Sequence, residues 1–181
     1  MTPKKILNAN ELSTILHRLC FQLIEDHNDF SETVLVGIQP RGIQLANRLL
    51  KLLADNDKNN KIDLGLLDIT FFRDDFRRNE KSLKASTTKL DFSIENKTII
   101  LIDDVLFTGR SIRAALDALQ SYGRPKSVQL LALIDRRFSR ELPIQPDYCG
   151  IQVDSRLNEK VKVNWNENDG EDSVYLIKNK E

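Results

Sequence analysis

The chain is short of the residues that mark several large classes of protein. Its two cysteines, Cys20 and Cys149, lie far apart, so neither a disulfide framework nor a short-spaced thiolate pair for a metal is available. Seven glycines and five prolines in 181 residues exclude collagen-like and mucin-like repeats. No apolar run approaches the roughly 20 residues of a bilayer span. No basic leader followed by an apolar segment opens the sequence either, so a reduced, cytoplasmic protein with no membrane insertion is expected. Charge of one sign is also missing. Lys plus Arg and Asp plus Glu number 27 each, so no overall positive field draws in nucleic acid, and such a partner would need a local patch.

What remains is the composition of a folding chain, 40% hydrophobic and 30% charged. The length suits one domain over 1–181 that buries a core without staples. Asn10 is the expected N-cap of a first helix. Leu12, Ile15, Leu16, Leu19, Cys20, Leu23 and Ile24 form its apolar face, which makes Cys20 core filler and leaves His17 on the surface. Thr33 to Ile38 is a short run buried on both faces, closed by the turn Gln39 to Gly42. A helix follows with Ile43, Leu45, Ala46, Leu49, Leu50 and Leu53 on one side.

Leu64 to Thr70, Thr98 to Ile102 and Ser127 to Ile134 are the next strands. Ile112, Ala115, Leu116 and Leu119 are expected to seat the intervening helix, which Gly123 and Pro125 stop. Strands alternating with helices indicate an α/β fold with a parallel sheet. Arg73 to Lys89 is charged and aperiodic, as functional segments often are. The period is also lost from Arg136 to Val153, and Val161–Trp165 with Ser173–Ile177 suit a terminal strand pair.

The chemistry concentrates in residues 99–111. A hydrophobic strand ends in Asp103 and Asp104, and Val105, Leu106, Phe107, Thr108, Gly109, Arg110 and Ser111 then turn into a helix. Ligands collect outside the carboxyl ends of strands in open α/β sheets. The Thr108–Ser111 turn offers backbone N–H groups and two hydroxyls to a phosphate at a helix N-terminus. The helix dipole contributes only about 0.3–1 kcal/mol there. A polyphosphate would therefore also need cations, for which Arg41 and Arg73 are candidates. Two acids at a strand end can accept from vicinal sugar hydroxyls, although acids also simply solvate strand ends. A Walker A loop is absent, which weighs against a nucleotide triphosphatase.

Residues 100–111 strongly resemble the phosphoribosyl pyrophosphate (PRPP) signature of type I phosphoribosyltransferases. With Leu35–Gly42, Asp68–Asp75 and Asp135–Ile144, the chain from about Ile6 to about Val163 resembles the PyrR family of pyrimidine-operon attenuators and uracil phosphoribosyltransferases. The resemblance implies a central, mostly parallel sheet flanked by helices, with a small hood formed by about 136–153 and the terminal segments. It implies transfer of phosphoribosyl from PRPP to uracil, giving UMP and pyrophosphate. Asp103 and Asp104 would hold the ribose hydroxyls, and Phe107 to Ser111, continuing Val105 and Leu106, would wrap the 5-phosphate. Pro40 and Arg41 would meet pyrophosphate together with Arg73 from a flexible loop, and Mg2+ would arrive on PRPP with few direct protein ligands.

Arg136 and Arg137 would start the hood over the base, and Leu133 to Asp135 with Val153 would wall the uracil pocket. Purine-specific relatives usually carry an aspartate where this chain has Phe107, which points to a pyrimidine. Plainer roles stay open: Arg41 as a surface arginine, Arg77 and Arg78 as a solvated charge run, and Arg136 and Arg137 paired with Glu141.

Two departures from the family pattern stand out. Pro40 precedes Arg41 where threonine is common, and a cis Gln39–Pro40 bond is expected at a cost of about 0.5–1 kcal/mol. The segment Arg136–Arg140 looks one residue longer than usual. The resemblance also implies a second role, an RNA-binding attenuator that senses UMP or UTP, and a homo-oligomer, dimer or tetramer. Arg18 keeps one plausible RNA position. Asp26 stands where a basic residue is usual, and acid against phosphate is unfavourable. A third possibility is a silent PRPP or nucleotide sensor.

Overall fold

The computed structural model describes residues 3–56, 61–75, 85–156 and 158–178. Along the chain run β1 (Lys4–Leu7), α1 (Ala9–His27), β2 (Thr33–Ile38), α2 (Gly42–Asn56) and β3 (Leu64–Leu67). A 3-10 turn over Thr70–Phe72 follows, then β4 (Thr98–Leu106), α3 (Arg110–Leu119), β5 (Ser127–Arg137), β6 (Tyr148–Asp154), β7 (Glu159–Asn164), α4 (Asn166–Asp169) and β8 (Ser173–Lys178). Five strands form a parallel sheet in the order β3-β2-β4-β5-β6, and three form a small sheet in the order β1-β8-β7 with antiparallel pairing.

The near-continuous apolar runs are explained by burial on both faces. Along β4, Ile100 and Ile102 face a core built with Leu16, Leu19, Leu45 and Leu49 of α1 and α2. Ile99 and Leu101 face the opposite way, against Ile112, Ala115, Ala118 and Leu119 of α3. The two-residue period of a strand feeds both cores, so neither face tolerates polar residues. Each fully buried Leu or Ile contributes about 1.5–3 kcal/mol of burial free energy.

α1 starts two residues earlier than Asn10 suggests. Asn8 is the cap, because its Oδ1 accepts from the Glu11 amide at 3.0 Å while Glu11 Oε2 accepts from the Asn8 amide at 2.8 Å. That reciprocal pair satisfies two otherwise orphaned donors, which Asn10 does not do. Leu116 is 37% exposed, and Ala114 and Ala118 take the buried places beside Ala115 instead. The last strand pair lies at Glu159–Asn164 and Ser173–Lys178, with β1 completing its sheet. β6 was hidden in the aperiodic stretch: as an edge strand its burial alternates with half-exposed and exposed positions, and it follows a proline-interrupted loop. Of the charged segment, residues 76–84, including Arg77 and Arg78, lie outside the described residues.

The small sheet is anchored to the large one by two arginines. Arg41 Nη1 donates to the Val163 carbonyl at 2.9 Å, and Arg136 Nη2 donates to the Glu159 carbonyl at 2.7 Å. Trp165, 1% exposed, follows β7; the Arg48 guanidinium lies 4.6 Å from its ring centre and pairs with Glu167 and Asp172. Cys20 is buried, and burial pushes its thiol above the usual range. Among the described residues no helix is long and apolar enough to cross a membrane.

Candidate active site

In a parallel sheet every strand opens its carboxyl end at the same edge. Here α2 leaves β2 on one face and α3 leaves β4 on the other, so a crevice forms between them. α2 enters tightly at that point: a side chain on Gly42 would collide with the Ile102 carbonyl oxygen. Only glycine lets the turn after β2 approach the end of β4 so closely.

Asp103 and Asp104 lie near the end of β4. Asp104 is 6% exposed, and its Oδ2 has no hydrogen-bond partner among the described residues. Asp103 is half-buried, and its Oδ1 accepts from the Asp104 amide at 2.9 Å. Both carboxyls titrate above the usual range. For Asp103 the causes are burial and then the neighbouring Asp104 charge, and for Asp104 burial outweighs the opposing positive charge of Arg41. A buried acceptor without a donor is costly. It is the arrangement expected of an acid held ready for hydroxyl groups of a ligand.

Beyond the acids, a cavity of about 670 Å3 is lined by Arg73, Asp74, Asp75, Asp103 and residues 105–112. Gly109 turns the chain with φ at +92°, and a side chain there would press on Leu142 and Ile144. The first-turn residues of α3, Arg110 to Ile112, line the same cavity, and the Arg110 amide donates to Thr108 Oγ1 at 3.4 Å. Arg73 lines it with its guanidinium paired to Asp75 at 2.6 Å, which holds the arginine above its ordinary pKa. Arg110 pairs with Asp74 and with Glu141, the latter at 2.6 Å. The Gln39–Pro40 bond is cis, as expected. Arg41 follows it, close enough to Asp104 to act on its charge.

A second cavity, of about 650 Å3, lies at the carboxyl ends of β5 and β6 and includes Asp135, Arg136, Arg137, Phe138, Arg140 and Gln152. Arg136 is 5% exposed, and its guanidinium stacks 3.8 Å from the centre of the Phe107 ring. It donates to Ser155 Oγ at 2.8 Å and to the Arg156 and Glu159 carbonyls at 3.2 and 2.7 Å. Burial draws its pKa down from the usual arginine range. Neither Arg136 nor Arg137 pairs with Glu141; Arg137 binds Asp154 at 2.6 Å. Within this segment Phe138 adopts φ +65° and turns its ring to solvent.

The structure therefore brings Arg73, Asp103 and Val105 to Ser111 around one cavity and Asp135, Arg136 and Arg137 around another, with Phe107 between them. Val153 packs in the apolar core instead, with Val161 and Val163. Arg18 is on α1, donating to the Gly150 and Cys149 carbonyls of β6 and to Gln22, which spends its guanidinium on the fold. Sequence reasoning missed Arg140, which donates both to the Asp135 carboxylate and to the Phe107 carbonyl. Its position within the quoted Asp135–Ile144 segment was the available signal. Among the described residues no cluster of three or more His, Cys, Asp or Glu side chains could hold a metal by itself.

A family model described as phosphoribosyl transferase domain matches residues 4–167. The bifunctional protein PyrR of Desulfosudis oleivorans is 44% identical over 171 residues, 94% of each chain. That of Microcystis aeruginosa is 43% identical over 180 residues, 98% of this chain and 100% of its own. Among solved structures, a hypoxanthine phosphoribosyltransferase from Staphylococcus aureus superposes with a TM-score of 0.72 at 22% identity, covering 97% of this chain and 91% of that one. The hypoxanthine phosphoribosyltransferase of Trypanosoma cruzi gives 0.73 at 15% identity, covering 98% and 97%. At such identities the likeness is one of fold.

Proposed function

The chain belongs to the PyrR family of phosphoribosyltransferases, and from that premise we propose that it transfers the phosphoribosyl group of PRPP to uracil, giving UMP and pyrophosphate. One observation carries the reading: Asp103 lines the same cavity as the glycine-hinged turn into α3, and the next residue, Asp104, keeps a buried carboxylate oxygen without a partner among the described residues. Acceptors for sugar hydroxyls and donors for a phosphate are thus adjacent, as a phosphorylated ribose requires.

In this reading 1–181 is one domain, and Asp103 and Asp104 accept from the ribose hydroxyls. Residues 105–111 receive the 5-phosphate. Pro40 and Arg41 on one side and Arg73 on the other bracket the pyrophosphate, whose growing negative charge the two arginines stabilise as the C1–O bond breaks and uracil N1 bonds to C1, giving up its proton to the departing pyrophosphate. Positioning and electrostatics supply most of such catalysis, and no covalent nucleophile is needed. Asp135, Arg136 and Arg137 line the uracil side, with Val153 backing it from the core. The two carboxylates of Asp103 and Asp104 are the hard oxygen donors that suit Mg2+ carried by PRPP. When bound, that ion supplies further charge neutralisation at pyrophosphate. Cytoplasmic location and a homo-oligomeric state belong to the same proposal.

The test is pyrophosphate release from PRPP and Mg2+, with uracil, orotate, hypoxanthine and no base side by side and Asp104→Asn as control. Release with uracil alone, lost in the variant, supports the proposal. Release with hypoxanthine instead would overturn the base assignment. The relatives' name, bifunctional, favours a second reading, a UMP- or UTP-sensing RNA-binding attenuator. RNA binding that weakens steeply with salt would support it. Since Arg18 is committed to β6 carbonyls, Arg18→Ala should leave any such binding nearly unchanged.

A further inference from the structure

The phosphate loop is shaped from behind by the segment that follows β5. The Phe107 carbonyl accepts from Arg140 Nη1, and the Thr108 carbonyl accepts from the Glu141 and Leu142 amides at 3.0 and 3.2 Å. A trans peptide unit is rigid, so a carbonyl held on one side directs the following N–H to the other. Fixing the Phe107 and Thr108 carbonyls towards residues 140–142 therefore turns the Thr108 and Gly109 amides towards the cavity that residues 105–112 line. The same Arg140 guanidinium also bonds the Asp135 carboxylate through Nη2, and Asp135 is next to Arg136 and level with Leu106 of β4. Asp135 is 6% exposed, and Gln152 Nε2 reaches its other oxygen at 3.4 Å. One planar fork thus ties the end of β5 to the start of the phosphate loop through two separate nitrogens, a span that the compact ammonium of a lysine lacks.

We propose that Arg140 is a positioning residue that holds the phosphate loop open for its ligand and couples it to the base side, so that filling one half of the site tightens the other. The proposal rests on the transferase reading above. It adds a residue that touches neither substrate, together with an energetic link between the two binding halves. By reciprocity, uracil then strengthens binding of the phosphorylated ribose by the same factor as the reverse.

The experiment is calorimetric titration with ribose 5-phosphate, which carries the ribose and phosphate but no pyrophosphate to lose, with and without saturating uracil. It is run on the unaltered protein, on Arg140→Lys, on Arg140→Met, and on Arg140→Met combined with Asp135→Asn. The last removes the buried carboxylate that Arg140→Met alone would strand, so a folded protein without the clamp is available. The unaltered protein should bind ribose 5-phosphate several-fold tighter with uracil present. Arg140→Met and the double variant should bind at least about tenfold more weakly, and uracil should no longer help. Arg140→Lys should recover thermal stability without recovering the coupling.

Equal affinity in the unaltered protein and Arg140→Met would overturn the proposal. So would a double variant that regains full affinity, since the loss would then come from the stranded carboxylate. Persistence of the full uracil effect in any of the three variants would overturn the coupling. If the unaltered protein does not bind ribose 5-phosphate at all, the transferase reading fails first, and the role of Arg140 falls with it.

Discussion

Asp104 and Asp135 occupy similar places near the carboxyl ends of neighbouring parallel strands, and both are 6% exposed. Their surroundings are opposite. Asp135 is saturated, with Arg140 on one oxygen and Gln152 on the other. Asp104 has an oxygen with no partner among the described residues, and burial lifts its pKa. Equal burial with unequal satisfaction separates an acid that holds the fold together from the one proposed to await a ligand.

Single substitutions should pull the two apart. Asp104→Asn should lower kcat/KM for PRPP by about a hundred- to a thousandfold, the range seen when one transition-state contact is removed. Its melting temperature should stay the same or rise. A variant that kept full activity would erase the contrast. Asp135→Asn should instead act on the fold, lowering unfolding free energy in urea by about 2–4 kcal/mol. The lower end of that range applies because the Arg140 side chain retains 22% exposure to water.

The pH dependence sharpens the same contrast. Burial raises the folded-state pKa of Asp104 above its unfolded value of about 4. The native state therefore binds the proton more tightly, and this residue makes stability fall as pH rises from about 4 through the folded pKa. Melting curves of the unaltered protein and Asp104→Asn should coincide best below that window and separate above it, with the variant higher. The smallest effect belongs to the exposed pair of Asp74 with Arg110. Asp74→Asn should cost less than about 1 kcal/mol and fade further in high salt.

Much of this was legible in the sequence because the determinants are local. β2 and β4 are continuous apolar runs, and the acids and the Thr108–Ser111 turn follow β4 within a few residues, so strand, acids and loop could be placed together. The base side was harder for a physical reason. Arg136 reaches Ser155 and Glu159, residues 19 and 23 positions away, and Arg140 reaches back 33 positions to Phe107. No period or spacing encodes such contacts. β6 escaped for a related reason, since an edge strand has an alternating and interrupted pattern that resembles a loop. Asn10 misled because it too is a capping residue type, and only the reach of Glu11 back to Asn8 decides between them.

Trp165 is the only tryptophan in the sequence, and it is two residues beyond Val163, whose carbonyl holds Arg41. All indole emission from this protein therefore originates at one dry position, under the Arg48 guanidinium and next to the strand that restrains a proposed pyrophosphate arginine. The molecule has a built-in optical gauge. Its colour should be blue-shifted at rest, and its intensity should change as PRPP draws Arg41 off the hood, so ligand occupancy can be followed by fluorescence without attaching a dye.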